Sequence, residues 1–131
     1  MCGLQMTDKV FTVNEANDLI PSVRPKLKLI QACYKKLANL REPAKAAAAA
    51  SEFGGGMEGG SAYVKTLYEI GKVTTELHDL GIQLKDYTRG LIDFPSMKEG
   101  RIVLLCWQLG EGDEIEWWHE IEAGFSGRQP L

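Results

Sequence analysis

A cysteine and a histidine near the C-terminal end of the chain have the residue types and spacing best suited to chemistry. Cys106 and His119 stand on either side of the turn-forming sequence GEGD, in the segments RIVLLCWQL and EIEWWHEIE. If Gly112 and Asp113 form the centre of a two-residue turn, the two side chains lie directly opposite each other. If the centre is one residue earlier, they are diagonal neighbours. Both registers place them on one face of a β-hairpin, within reach of one metal ion or one shared proton.

Three interpretations of this pair follow from its chemistry. A thiolate and an imidazole are ligands of zinc and similar divalent transition metals, and carboxylates can complete the coordination. Asp93, on the preceding segment, is the nearest such carboxylate in the chain, and His78 is a weaker candidate. Alternatively, His119 activates Cys106 as a nucleophile. The third interpretation is a structural pair, because cysteine is often buried as a small hydrophobe and His119 alternates with apolar residues.

The opposite face of the predicted hairpin carries aromatic and acidic side chains. Trp107 lies opposite Trp118 in the first register, and Glu116 and Glu120 share their face. A tryptophan pair rimmed by acids is typical of a protein contact surface. Alternatively, a helix or the C-terminal tail covers the tryptophans.

The first element that must position this hairpin is an amphipathic helix. It is predicted to begin at Thr12, where Thr12 and Glu15 match the T-x-x-E capping box. Apolar residues then recur at steps of three and four up to Leu40, which indicates one buried helical face. Pro21 removes a backbone donor within this pattern, so we predict a kink or a break near it.

A second amphipathic helix is predicted over about residues 61–88. Gly81 would be a small residue that permits close packing, and Gly90 would end the helix. Between the two helices, an alanine- and glycine-rich stretch predicts a mobile loop at 43–60. Within it, Ala46–Ala50 favour helix and could extend the first helix, whereas the glycines favour the loop. Two long helices joined by such a loop form an antiparallel hairpin.

After Gly90 the apolar period changes to that of strands, and Leu91–Phe94 is a candidate third strand. The predicted fold class is therefore α+β: an antiparallel two-helix hairpin with a small antiparallel β-sheet of two or three strands at the C-terminal end. Residues 1–131 form a single domain, with the helical hairpin at about 12–90 and the β-hairpin and tail at 91–131. Because two helices cannot enclose a core alone, we expect a homodimer through their apolar stripes.

Composition narrows the class of protein. The chain has 131 residues, of which 44% are apolar and 25% charged, as in ordinary globular proteins. A net charge of −3 argues against a dedicated nucleic-acid binder. Three cysteines without a CxxC spacing argue against a disulfide scaffold and a zinc ribbon. The sequence has neither a signal peptide nor a membrane-spanning apolar run, so we expect a cytoplasmic location.

Three segments, in a specific order and spacing, carry a family resemblance: FTVNEANDLIP at 11–21, GIQLKDYTRGLIDFPS at 81–96 and VLLCWQLGEGDEIEWWHEIEAGFSGRQPL at 103–131. Together they resemble the bacterial domain-of-unknown-function family 2203 over nearly the whole chain. The resemblance implies a small cytoplasmic bacterial protein of two helices and a small sheet, and it implies no activity. It also emphasises polar positions from which a site would be built: Lys85, Asp86, Asp93, Cys106, Glu111, His119 and Arg128.

Two functional hypotheses follow. The first is a dimeric, non-catalytic interaction or scaffold module that presents the acidic, tryptophan-bearing hairpin to a protein partner. The alternative is a small metal-binding protein or metalloenzyme, with Cys106, His119 and Asp93 as ligands of a divalent transition metal such as zinc. Neither hypothesis involves nucleic acid or a membrane.

Overall fold

The computed structural model describes residues 9–51 and 58–131, with side chains described outside 41–60. Two helices precede an antiparallel sheet whose five strands follow one another in chain order. A 3₁₀ turn, Phe125–Gly127, comes before the last strand. The helices and strands are α1 Val13–Ser51, α2 Glu58–Asp79, β1 Gln83–Asp86, β2 Leu91–Lys98, β3 Arg101–Gln108, β4 Trp117–His119 and β5 Gln129–Pro130.

The α+β class and the C-terminal antiparallel sheet are confirmed, but the prediction of two or three strands is wrong. Strand β1 lies within the segment predicted as helix, and the two-residue β5 lies in the tail. The tight hairpin is β2–β3, whose turn residues Glu99 and Gly100 have φ of 51° and 81°. Two successive positive φ angles are the geometry that matches the twist of paired strands.

Strand β4 is shorter than the predicted segment and follows the second of the two predicted registers. Cys106 pairs with Trp117, so it is diagonal to His119, and Trp118 pairs with Leu105 rather than with Trp107. The direct Cys106–His119 and Trp107–Trp118 pairings are therefore wrong. The connection at 109–116 is a wide loop and not a tight turn.

One local and one long-range hydrogen bond shape this wide loop. The indole Nε1 of Trp107 donates to the Gly112 carbonyl at 2.9 Å. The Ile115 amide donates to Asn17 Oδ1 on α1 at 2.7 Å. The first bond ties the loop to β3 and the second holds it against α1. Pairing of the chain with β3 resumes at Trp117.

Helix α1 begins at the predicted cap. The Thr12 amide donates to Glu15 Oε1 at 2.9 Å and the Glu15 amide to Thr12 Oγ1 at 3.0 Å. The predicted break near Pro21 is wrong, because the helix is continuous to Ser51. Ile20 and its apolar neighbours on the same stripe are completely buried, and this packing outweighs one missing backbone bond.

Helix α2 ends at Asp79 and not near Thr88. Gly81 has a φ of 93°, and the amides of Gly81 and Ile82 donate back to carbonyls of the last helical turn. This is the Schellman arrangement, in which a left-handed glycine ends the helix. Gly81 is thus the helix stop rather than an interior packing residue, and Gly90 lies in the turn between β1 and β2.

Substitution of Gly81 by alanine is expected to lower the free energy of unfolding by about 1–2 kcal/mol. Its φ is 93°, and a Cβ there would lie 3.0 Å from the Lys9 Cβ. Gly71→Ala is the matched control: Gly71 lies inside α2 with nothing within 4 Å of its Cβ position, so alanine should stabilise by about 0.5–1 kcal/mol. Urea unfolding followed by circular dichroism measures the change in stability for both variants. Equal effects of the two substitutions would contradict the assignment of Gly81 as the residue that ends α2.

One face of the sheet packs against the helices and forms the core. This core comprises Phe11, Ala16, Ile20, Val23, Leu27, Ile30, Val73, Leu77, Ile82, Ile92, Phe94, Val103, Leu105, Trp107, Ile115 and Trp118. The core-facing side chains of α1 and of the second half of α2 are therefore covered within one chain, whereas Leu67 on α2 is 45% exposed. The homodimer was predicted because two helices alone cannot enclose a core. The sheet supplies that core within one chain, so this reason no longer applies, and the homodimer stays a prediction.

The segment between the helices is shorter than the predicted loop at 43–60. Helix α1 includes the alanine run up to Ser51, and α2 already begins at Glu58. Residues 52–57, on which the rest of that prediction falls, lie outside the described residues. Within the described part of the chain, neither helix combines the length and the apolar character needed to cross a membrane.

Candidate functional site

The sheet face turned away from the helices carries a cluster of three potential ligand side chains. Asp93 on β2 pairs with Cys106 on β3, which pairs with Trp117 on β4. Because side chains alternate along a strand, these residues and His119, two positions after Trp117, all point to the same face. Three successive strands thus contribute one residue each to what we call the DCH cluster: Asp93, Cys106 and His119.

The DCH cluster is compact and closed to solvent. One ligand atom from each residue lies within 4.8 Å of the other two. The exposed fractions of Asp93, Cys106 and His119 are 2%, 0% and 2%. His119 Nε2 lies 3.1 Å from Asp93 Oδ2, whereas Asp93 Oδ1 has no hydrogen-bond partner among the described residues. Burying a carboxylate oxygen without a hydrogen-bond partner costs free energy. Either a bound ligand satisfies such an oxygen, or the fold bears the strain.

The imidazole of His119 has a defined orientation. Its Nδ1 lies 2.7 Å from the Glu120 carbonyl oxygen. Because a carbonyl oxygen only accepts hydrogen bonds, Nδ1 carries the proton. Nε2 is the nitrogen that faces Asp93, and without a bound cation it must share a proton with the carboxylate. Loss of that proton leaves an Nε2 lone pair directed into the cluster.

Burial is the largest influence on the pKa values of the other two members, Asp93 and Cys106. Burial raises the pKa of the Asp93 carboxyl. The charge of His119, a hydrogen bond with the Cys106 thiol and the charge of Lys85 act in the opposite direction. Burial, followed by the negative charge of Asp93, raises the pKa of the Cys106 thiol to about 12. Cys106 is therefore a neutral thiol near pH 7 in the metal-free protein, unlike the thiolate that a nucleophilic cysteine requires.

The hydrogen bonds of His119 also argue against nucleophilic catalysis. A catalytic imidazole must accept the proton of the thiol through one nitrogen while the other is held by an orienting group. Here Nδ1 is held by the Glu120 carbonyl and Nε2 by Asp93. Neither ring nitrogen is left for Cys106, so the cluster is not arranged as a nucleophile with its base.

Arg128 and Glu111 form an ion pair near the DCH cluster. Arg128 Nη2 lies 2.7 Å from Glu111 Oε2, and the Arg128 side chain is 10% exposed. Its guanidinium stacks on Trp117 at 4.8 Å and on Phe125 at 4.7 Å from the ring centroids. The positive charge of Arg128 is near enough to oppose the rise in the pKa of Cys106. The resemblance emphasised both charged residues, and the structure pairs them with each other.

The remaining predicted polar residues lie outside the cluster. Lys85 is exposed on β1 and acts on Asp93 through its charge. Asp86 shapes the turn after β1, because its Oδ1 accepts from the Thr88 amide at 2.9 Å and from the Arg89 amide at 3.0 Å. His78 is exposed at the end of α2 and does not join the cluster.

The predicted contact surface is largely buried. Trp107 and Trp118 are 0% and 7% exposed and belong to the core beneath the helices, as in the alternative where a helix covers the tryptophans. Glu116 is exposed, and Glu120 accepts a hydrogen bond from Arg101 Nε at 3.1 Å. The two acids therefore do not rim an exposed tryptophan pair.

The chain was compared with known families, curated proteins and solved structures. A family described as "Uncharacterized conserved protein (DUF2203)" matches residues 9–131. That match includes the whole DCH cluster and the Arg128–Glu111 pair. No curated protein and no solved structure matches the chain.

Proposed function

The chain belongs to the DUF2203 family, and for this member we propose a binding site for a divalent transition metal, with zinc as the expected ion. The ligands are Asp93, Cys106 and His119. The observation that carries the proposal is that carboxylate, thiol and imidazole ligand atoms lie within 4.8 Å of one another on a buried face of the sheet. Oxygen, sulfur and nitrogen donors of these types are those that zinc accepts in proteins.

Two further features of the cluster favour a metal site over a purely structural cluster. The bond between His119 Nδ1–H and the Glu120 carbonyl fixes the ring as metal-bound histidines are fixed, by donation from the nitrogen that does not bind the ion. The unpartnered Oδ1 of Asp93 leaves the carboxylate free to coordinate. A cation would also neutralise charge on Asp93 and Cys106, which is expensive to bury alone.

Three protein ligands leave one position of a tetrahedral ion for water or a small molecule. Sites with this number of protein ligands are typical of catalytic rather than structural zinc. The proposal therefore includes a metalloenzyme, in which Arg128, paired with Glu111, would lie near the sulfur. The reaction is not specified by these residues.

A protein-contact role is the second candidate, and a different surface favours it. Val64, Leu67 and Tyr68 are 65%, 45% and 70% exposed and share one face of α2 at helical spacing. An exposed apolar stripe of this kind suits contact with another protein or a second copy of the chain. The acidic hairpin does not contribute to this surface.

The metal proposal predicts uptake of one Zn²⁺ or Co²⁺ ion per chain by chelator-treated protein. Co²⁺ should show a thiolate-to-metal absorption band, because Cys106 supplies a sulfur ligand. Cys106→Ser should remove this band, and Asp93→Asn should weaken binding at least about 10–100-fold, the loss typical even for groups that only support a ligand. Isothermal titration and visible absorption measure both effects.

Cys33→Ser is the matched control, because Cys33 is also a free, buried cysteine but lies on α1. It should bind metal as the unsubstituted protein does. Circular dichroism of each variant checks that the fold is retained. Failure of the unsubstituted protein to take up either ion, or unchanged binding by Cys106→Ser, would refute the site.

A further inference from the structure

A second candidate site is a cavity of about 360 Å³ next to the DCH cluster. It lies between the segment before α1, the end of α2 and the sheet face turned away from the helices. Its apolar wall is made by Ile82, Pro95, Ile102, Leu104 and Ile121. This volume falls within the range of about 300–1,000 Å³ that is typical of small-molecule pockets.

The lining of the cavity also carries charged side chains. Lys9 and Lys85 both line it, together with one acid, Asp79. Among the described residues, no carboxylate lies within the 4.0 Å ion-pair distance of either lysine ammonium group. The side-chain amide of Gln83 adds a hydrogen-bond donor to the same wall. An apolar interior with two ammonium groups that form no ion pair among the described residues suits a ligand with an apolar body and an anionic end.

We propose that this cavity binds a small amphipathic anion, with the apolar body against Leu104 and its neighbours and the anionic group at Lys85 and Lys9. The site is separate from the proposed metal site, because no member of the DCH cluster lines the cavity. The two are nevertheless adjacent. Leu104 pairs with His119 and Gln83 pairs with Asp93 across the strands.

The test uses the full chain, treated with chelator and dialysed, so that failure of the metal site does not affect it. Octanoate and octyl phosphate are titrated and followed by backbone amide shifts in ¹H–¹⁵N spectra. We expect shifts at Ile82, Ile102 and Leu104 with at least one of the two probes, and the tighter probe identifies the anionic group. Acetate, which lacks the apolar body, and 1-octanol, which lacks the charge, should both bind more weakly.

Lys85→Gln should weaken binding of the better probe by about tenfold, the effect of losing one charge-assisted contact. Lys72→Gln makes the same change of charge at an exposed position of α2 that does not line the cavity, and it should leave binding unchanged. Absence of binding by both probes would overturn the proposal. Equal effects of the two substitutions, or shifts confined to the exposed face of α2 around Leu67, would also overturn it.

Discussion

Replacement of His119 by alanine in the metal-free protein is expected to lower the free energy of unfolding by about 3–5 kcal/mol. The substitution removes the partner that lies 3.1 Å from Asp93 Oδ2. The other oxygen of that carboxylate already lacks a partner among the described residues. A group that is 2% exposed would then retain a negative charge, or take up a proton, without its imidazole partner. Urea unfolding at neutral pH measures the loss.

The double substitution Asp93→Asn with His119→Ala separates the charge effect from the cavity effect. Both chains lose the imidazole volume, but only the single variant keeps an unpaired carboxyl group. We therefore expect the double variant to be more stable than His119→Ala alone, although it carries one more substitution. A double variant that is less stable than the single one would show that Asp93 is not destabilised by the loss of its partner.

Trp107→Ala is expected to destabilise the protein by a similar amount, about 3–5 kcal/mol. Trp107 is completely buried and is among the largest core side chains. Its indole N–H also holds the Gly112 carbonyl at 2.9 Å, so the substitution removes both apolar packing and an anchor of the loop at 109–116. Because this loop leads into β4, metal affinity should fall as well.

Tyr68→Ala is the control for Trp107, since Tyr68 is 70% exposed on α2. Loss of this aromatic ring should change the free energy of unfolding by no more than about 0.5 kcal/mol. Thermal and urea unfolding, together with Co²⁺ titration, compare the two variants. Similar stability of the two would mean that Trp107 does not hold the core and the loop together.

The sequence was sufficient to predict that Cys106 and His119 share a face, and the reason is the period of the β-strand. The two candidate registers differed by an even step, so both gave the same face. The choice between opposite and diagonal positions depended on the Ile115–Asn17 hydrogen bond. That contact joins residues far apart in the chain and leaves no local signal, so the wrong register could not be rejected in advance.

Strand β1 was missed for a related reason. The helical period of α2 continues by coincidence through Leu84 to Thr88, although Gly81 ends the helix. Gly81 has a φ of 93° at the helix stop, but a glycine in a sequence does not report its φ. The cavity could not be predicted either, because Gln83 and Lys85 line it only if that segment is a strand.

The three strands that carry the DCH cluster make its assembly depend on chain topology. Asp93 and His119 are 26 positions apart, and the unfolded chain must close that loop against its conformational entropy before the two side chains meet. An ion held between them would act as a reversible cross-link on the three-residue strand β4, which has few backbone bonds of its own. By mass action, an ion present at 1,000 times its dissociation constant would stabilise the fold by about 4 kcal/mol. The supply of metal would then determine the fraction of chains in which the C-terminal half of the sheet is folded.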